Sequence, residues 1–207
     1  MARLGSSGAA MVGSLSLLAL GANPPAAIAS SADPAGARIE AFHASLVEMM
    51  KQGSALGPRG RYHRLEPVVE ADFDLPLMTR FAVGPAWASM SAADQGALVK
   101  AFGKLSAASY AHNFDRYGGE RFDLDPVVQA RGPDKIVQAH LITGGHAPVA
   151  LAYRMRLSGG AWKIVDVYYD GISQLTTRRS DFAAPLAAGG AKALLAHLDS
   201  VSAKLLQ

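Results

Sequence analysis

Asp166 stands between Val165 and Val167 in the run WKIVDVYYDG, Trp162 to Gly171. Burial in an apolar strand raises a carboxylate's pKa and fits it to take up a proton as a general base. Strict alternation places Asp166 with Trp162, Ile164 and Tyr168, and places Val165, Val167 and Tyr169 on the other face. Both faces are partly apolar, so alternation alone leaves open which one looks inward. The alternative to catalysis is an acid satisfied by hydrogen bonds within the fold.

The remaining reactive side chains form no set. Six histidines occur, at His43, His63, His112, His140, His146 and His197. His140 and His146 flank Gly144-Gly145 and could approach one another. Two imidazoles fall short of the usual metal-ligand set, and exposure at strand ends is the simpler reading. The chain has no cysteine, which excludes thiol catalysis and cysteine-based zinc sites. No G-x-S-x-G elbow, P-loop or dinucleotide glycine pattern is present. No catalytic residue, metal or cofactor is therefore expected.

Two polar groups have another possible use. Tyr110, His112, Asp115, Arg116 and Tyr117 cluster where a long helix should end at Gly118-Gly119, and read either as a ligand-contacting rim or as helix capping. Arg178-Arg179 reads as a docking or anion-binding pair, or as a solvated helix face.

The elements that must position these residues run helices, strands, helices. Asp33-Pro34 has the chemistry of a helix start, and Ile39, Phe42, Leu46 and Met50 follow at helical spacing. Gly53 predicts a stop, Ser54 to Arg61 a loop, and Tyr62 to Ala71 a short helix interrupted near Pro67. Asp74 can cap a turn carrying Leu75, Leu77, Met78 and Phe81, which Gly84-Pro85 breaks. Ser91 and Asp94 form a short capping box opening the longest helix, about Ala92 to Phe114. Leu98, Phe102, Leu105 and Ser109 stripe that helix, widened by Val99 and Ala101.

From Arg121 the period changes to two. One or two short strands precede a meander: Val137, Ala139 and Leu141, then Val149, Leu151, Tyr153, Met155 and Leu157, then Trp162 to Tyr169. Gly144-Gly145 and Gly159-Gly160 mark the turns. The fold class expected is α+β, a curved antiparallel sheet of four to five strands under a helical layer, with no repeat and no second domain.

Arg3, the apolar run Ala9 to Leu20, and the A-x-A sequence Ala27-Ile28-Ala29 read as an export signal. Gly21, Asn23, Pro24 and Pro25 cut the run short of the roughly 20 residues that a membrane span needs. Removing residues 1–29 leaves 178, enough for one core without disulfides. The net charge of +3 and the absence of lysine-arginine runs argue against nucleic acid.

Two blocks carry a wider likeness: Phe73 to Phe122, and Trp162 to Leu198 with its aromatic-led strand, Gly-Ile-Ser corner, Arg-Ser-x-Phe segment and Gly-Gly break. Their order resembles the MlaC family of periplasmic lipid carriers, also called the toluene-tolerance family, and especially its hopanoid-associated HpnM branch. The resemblance implies an NTF2-like fold with an enlarged helical part, and residues 30–207 as one MlaC-like lipid-binding domain. It implies a soluble, non-enzymatic periplasmic carrier of phospholipid or hopanoid. The partners implied are an inner-membrane ABC transporter complex or a hopanoid exporter, and an outer-membrane lipoprotein-porin complex.

In such carriers the tails enter between helices and sheet. Carried over by motif, the lining is Phe73, Leu77, Met78, Phe81, Val83 and Trp87, then Phe102, Leu105 and Tyr110 on the long helix. The sheet adds Leu141, Val149, Leu151, Tyr153 and Val167, and the corner adds Ile172. Tyr168-Tyr169 and the stretch Tyr110 to Phe114 lean toward the hopanoid branch, because a rigid polycycle suits an aromatic slot. The rival functions are an NTF2-like enzyme using Asp166 as its base, and a scaffold binding only proteins.

Overall fold

Asp33 accepts the backbone N–H of Ala35 at 2.9 Å, and Pro34 takes the first helical position of α1 (Pro34–Asp72). The computed structural model describes residues 33–207; the leader expected over residues 1–29 lies outside the described residues. The stop expected at Gly53 and the loop to Arg61 are replaced by continued helix, broken only at Gly57 (φ 63°, ψ 176°) before Pro58. Arg61 explains the difference. Its buried guanidinium donates to the carbonyl of Gly53 at 3.0 Å and to that of Ala111 at 2.7 Å, so carbonyls near the break keep partners. Gly53 is small for packing: a Cβ there would lie 2.3 Å from the Asp115 carbonyl oxygen.

Helix α2 (Leu75–Val83) starts at Asp74, whose carboxylate accepts the Leu77 N–H at 3.1 Å. A 3₁₀ turn, Gly84–Ser89, leads to α3 (Ala92–Asn113). Ser91 accepts the Asp94 N–H at 3.1 Å and donates its hydroxyl to the Asp94 carboxylate at 2.7 Å. Helix α3 buries more than a stripe: Ala101, Ala107, Ala108 and Ala111 join Leu98, Phe102 and Leu105 inside. It is packed between α1 and α4 (Gln174–Leu205), and alanines let both approach closely.

The sheet contains β1 (Arg121–Leu124), β2 (Gln129–Arg131), β3 (Asp134–Ile142), β4 (Val149–Ser158), β5 (Ala161–Tyr169) and β6 (Ile172–Ser173). Its antiparallel order is β1-β3-β4-β5-β6, with β2 also beside β3. The α+β architecture is as expected, with six described strands in place of four to five. The extra one, β6, has two residues, too few for an alternating pattern. Gly159 (φ 58°) and Gly160 (φ 81°) form the two-residue hairpin loop between β4 and β5, a left-handed geometry natural to glycine.

Val137 pairs with Tyr153 and Ala139 with Leu151, and all four are buried against the helices. Phe42 of α1 ties the layers together, meeting Phe73, Tyr110 and Tyr153 edge-on at centroid distances of 5.4, 5.3 and 6.3 Å. Such contacts stabilise by about 0.5–1.5 kcal/mol each beyond area burial.

Strand β5 departs from strict alternation. Arg154 pairs with Asp166 but Met155 pairs with Ile164, so Val165 has no opposite number and forms a β-bulge. The bulge shifts parity by one residue. Ile164, Val167 and Tyr169 therefore share the helix-facing side, while Asp166 and Tyr168 lie on the other; the grouping of Asp166 with Ile164 is corrected accordingly. Among the described residues, no helix is long and apolar enough to cross a membrane.

Candidate functional site

Between α3, the start of α4 and the end of β5 lies a slot. Phe102, Ser106, Ser109, Tyr110 and Asn113 line it from one face of α3, over about 16 Å of helix. Gln174, Leu175 and Arg178 line it from the first turns of α4, and Val167 and Tyr169 from β5. Phe73 and Met78 complete the wall.

The slot has a direction. Helix α4 runs antiparallel to α3 beside it: Phe182 meets Phe102 at 6.1 Å between centroids, and Arg178 Nη2 lies 3.3 Å from Ser109 Oγ. The α3 lining thus turns from apolar at Phe102 to polar at Asn113, near the α4 start that carries Gln174. The cavity holds about 90 Å³ in this conformation.

Neutral polar groups lie in the slot wall, at Tyr110 and Tyr169, and behind it, at Tyr153 and His43. Burial, helped by the neighbouring Tyr169 and Tyr153, raises the Tyr110 phenol well above its ordinary pKa. Burial likewise raises Tyr153 and Tyr169. His43 Nε2 lies 2.8 Å from the Tyr153 hydroxyl, its ring stacks on Phe122 at 4.0 Å, and its Nδ1 has no partner. Burial pushes the His43 pKa down to about 3. Among the described residues of the wall, only Arg178 is charged.

Asp166 does not line the slot. Its carboxylate accepts the N–H of Val167 at 2.8 Å, the N–H of Leu175 at 3.0 Å and the Ser173 hydroxyl at 2.6 Å. Ser173 in turn caps α4 by accepting the Thr176 N–H at 3.0 Å. The acid fastens the N-terminus of α4 to β5, where a negative charge is favoured.

Five of the fifteen lining residues expected from sequence border the slot: Phe73, Met78, Phe102, Tyr110 and Val167. Val83, Leu105, Leu151 and Tyr153 are buried elsewhere in the core. Leu77, Trp87, Leu141 and Val149 are half-buried, while Phe81 and Ile172 are exposed. Sequence reasoning did not select Ser106, Ser109, Asn113, Tyr169, Gln174, Leu175 and Arg178 as lining. Part of the signal was available, since Ser106, Ser109 and Asn113 continue the helical face of Phe102 and Tyr110.

Of the Tyr110–Tyr117 cluster, only Tyr110 enters the slot. Asp115 pairs with Arg116 at 3.2 Å, and Lys51 Nζ lies 5.8 Å from the centre of the Tyr117 ring. His140 Nδ1 is 3.6 Å from the Asp125 carboxylate, and His146 is exposed. Among the described residues no three His, Asp or Glu side chains converge as metal ligands.

The family model described as MlaC protein matches residues 40–200. The chain belongs to the MlaC family. Every residue lining the slot falls inside the matched region. The solved structure of a phospholipid-binding protein from Ralstonia solanacearum, in complex with a phospholipid, is similar at TM-score 0.74 and 22% identity. The similarity covers 84% of this chain and 100% of that one. At that identity the likeness establishes a common fold, and places this MlaC-family chain in the same α+β architecture.

Proposed function

We propose that this chain is a periplasmic lipid carrier, exported by residues 1–29 and acting as one domain, residues 30–207. The observation that carries the reading is the slot between helices and sheet, apolar along Phe73, Met78, Phe102, Val167 and Leu175. Burying acyl chain is worth about 0.8 kcal/mol per methylene, so two ordinary chains gain roughly 20–25 kcal/mol over water. Against a bilayer the same chains gain almost nothing. Loading and release then need an opened route and no covalent step.

At about 90 Å³ the slot is smaller than the roughly 300–1,000 Å³ of ordinary ligand sites. Acyl chains enter by moving α3 and the start of α4 away from β5. The adjacent core residues Leu105, Leu151 and Tyr153, and Met155 beyond them, are the wall that widening would expose.

Phospholipid is the preferred cargo; the related fold from Ralstonia solanacearum holds one. Hopanoid is the second reading, favoured by the ring faces of Phe73, Phe102, Tyr110 and Tyr169 around the slot. Tyr168 adds nothing to it, because strand alternation puts that residue on the sheet face opposite Val167 and Tyr169. The carrier would exchange lipid with an inner-membrane ABC complex or hopanoid exporter, and with an outer-membrane lipoprotein-porin complex.

The rivals are weaker. An enzyme based on Asp166 would need a carboxylate facing the slot, and Asp166 is engaged by three donors outside it. A protein-only scaffold would need no slot. Native mass spectrometry with lipid extraction, on protein released from the periplasm without detergent, decides among them. Stoichiometric phospholipid or hopanoid supports the carrier, whereas an apo mass with no uptake from liposomes removes it.

A further inference from the structure

Among the described residues lining the slot, Arg178 is the one that carries a charge. It stands where the lining turns polar, with Ser109, Asn113 and Gln174 around it. A guanidinium has five N–H donors. The contacts of Arg178 are long: 3.3 Å to Ser109 Oγ and 3.5 Å to the Asp181 carboxylate. Ordinary N–H···O bonds span about 2.7–3.2 Å. The side chain is 32% exposed, so it is neither sunk in a strong ion pair nor free in solvent. Its neighbour Arg179 differs: it is exposed, lies against Gly84 and does not line the slot.

Resting on the carrier reading, we propose that Arg178 clamps the phosphate of a lipid whose acyl chains occupy the slot, making the protein selective for phosphate-bearing cargo over neutral lipid. The planar fork matches two phosphate oxygens, which a lysine cannot reproduce. Ser109, Asn113 and Gln174 supply neutral donors beside it, and the N-terminal end of α4 adds a favourable dipole. Asp181 competes for the same cation and tunes its strength. A neutral polycyclic alcohol or a diacylglycerol offers Arg178 no anion and gains nothing from it.

The test compares loading of the delipidated full-length mature protein from vesicles containing either phosphatidylglycerol or diacylglycerol with the same acyl chains. Wild type should load phosphatidylglycerol at least tenfold better. Arg178→Gln should lose that preference while still loading diacylglycerol; Arg178→Lys should recover it only in part, and Arg179→Gln should keep it in full. Circular dichroism and the retained diacylglycerol loading show that the variant is folded. Equal loading of both lipids by wild type, or an unchanged preference in Arg178→Gln, overturns the clamp and leaves the carrier standing. Loading of neither lipid overturns the carrier itself. Inorganic phosphate, titrated alone, should bind weakly and fail to displace loaded lipid; tight binding would identify a free-phosphate site and overturn the lipid assignment.

Discussion

The carboxylate of Asp166 accepts the backbone N–H of Leu175 at 3.0 Å, joining β5 to the first turn of α4 across the Asp170-Gly171 turn. Asp166 is buried, and the same carboxylate also holds the Val167 N–H and the Ser173 hydroxyl. Leu175 lines the slot one residue beyond Gln174, so this bond sets where one wall of the slot begins.

Asp166→Ala removes all three bonds and leaves donors stranded. Hydrogen bonds to a charged group contribute about 1.5–3 kcal/mol each, though not additively, so a loss of about 3 kcal/mol is expected. Asp166→Asn, keeping an acceptor, should lose less. Urea midpoints at constant slope measure both. If neither variant shifts the midpoint, the fastening role is wrong.

His43 predicts an acid-side weakening. Burial holds its folded-state pKa at about 3, against an unfolded value near 6.5. The unfolded chain therefore binds the extra proton, and the contribution of this group is complete above about pH 6.5. It falls by up to about 1.4 kcal/mol per pH unit as pH drops toward 3. Comparing wild type with His43→Gln over that window isolates the effect; parallel curves would contradict it.

Glycine substitutions should move in opposite directions at two helical sites. Gly53→Ala drives a Cβ to within 2.3 Å of a backbone oxygen, and overpacking of this kind costs about 3 kcal/mol. Gly96 is exposed in α3 with nothing within 4 Å, so Gly96→Ala should stabilise by about 0.4–1 kcal/mol. Thermal melts of the pair give both signs.

A bulky plug tests uptake directly. Ser106 lines the slot and is half-buried, so Ser106→Trp should fill the opening between α3 and β5. Lipid recovered per protein is expected to fall at least fivefold with the melting temperature within a few degrees of wild type. Full loading by a folded Ser106→Trp would move the lipid path elsewhere.

Features dictated by local chemistry were legible in the order of the residues. Asp33-Pro34, Asp74 and Ser91-Asp94 begin helices because their side chains satisfy nearby backbone donors. Gly159-Gly160 turns a hairpin because glycine accepts positive φ, and period-two burial selected Val137, Ala139, Leu151 and Tyr153 for the inner face. The order of those elements, with the motifs they carry, was enough to reach the MlaC family.

Which distant residues share the slot was set by long-range packing. The bulge at Val165 is a pairing event between two strands, so no pattern within β5 announces that Asp166 and Ile164 lie on opposite faces of the sheet. Arg61 sustains the helix near Gly57 through a carbonyl 50 residues away. Arg178 meets Ser109 only because α4 returns antiparallel to α3. Local sequence fixes backbone conformation over a few residues, whereas strand register and helix packing are settled by contacts that form once the whole chain has folded.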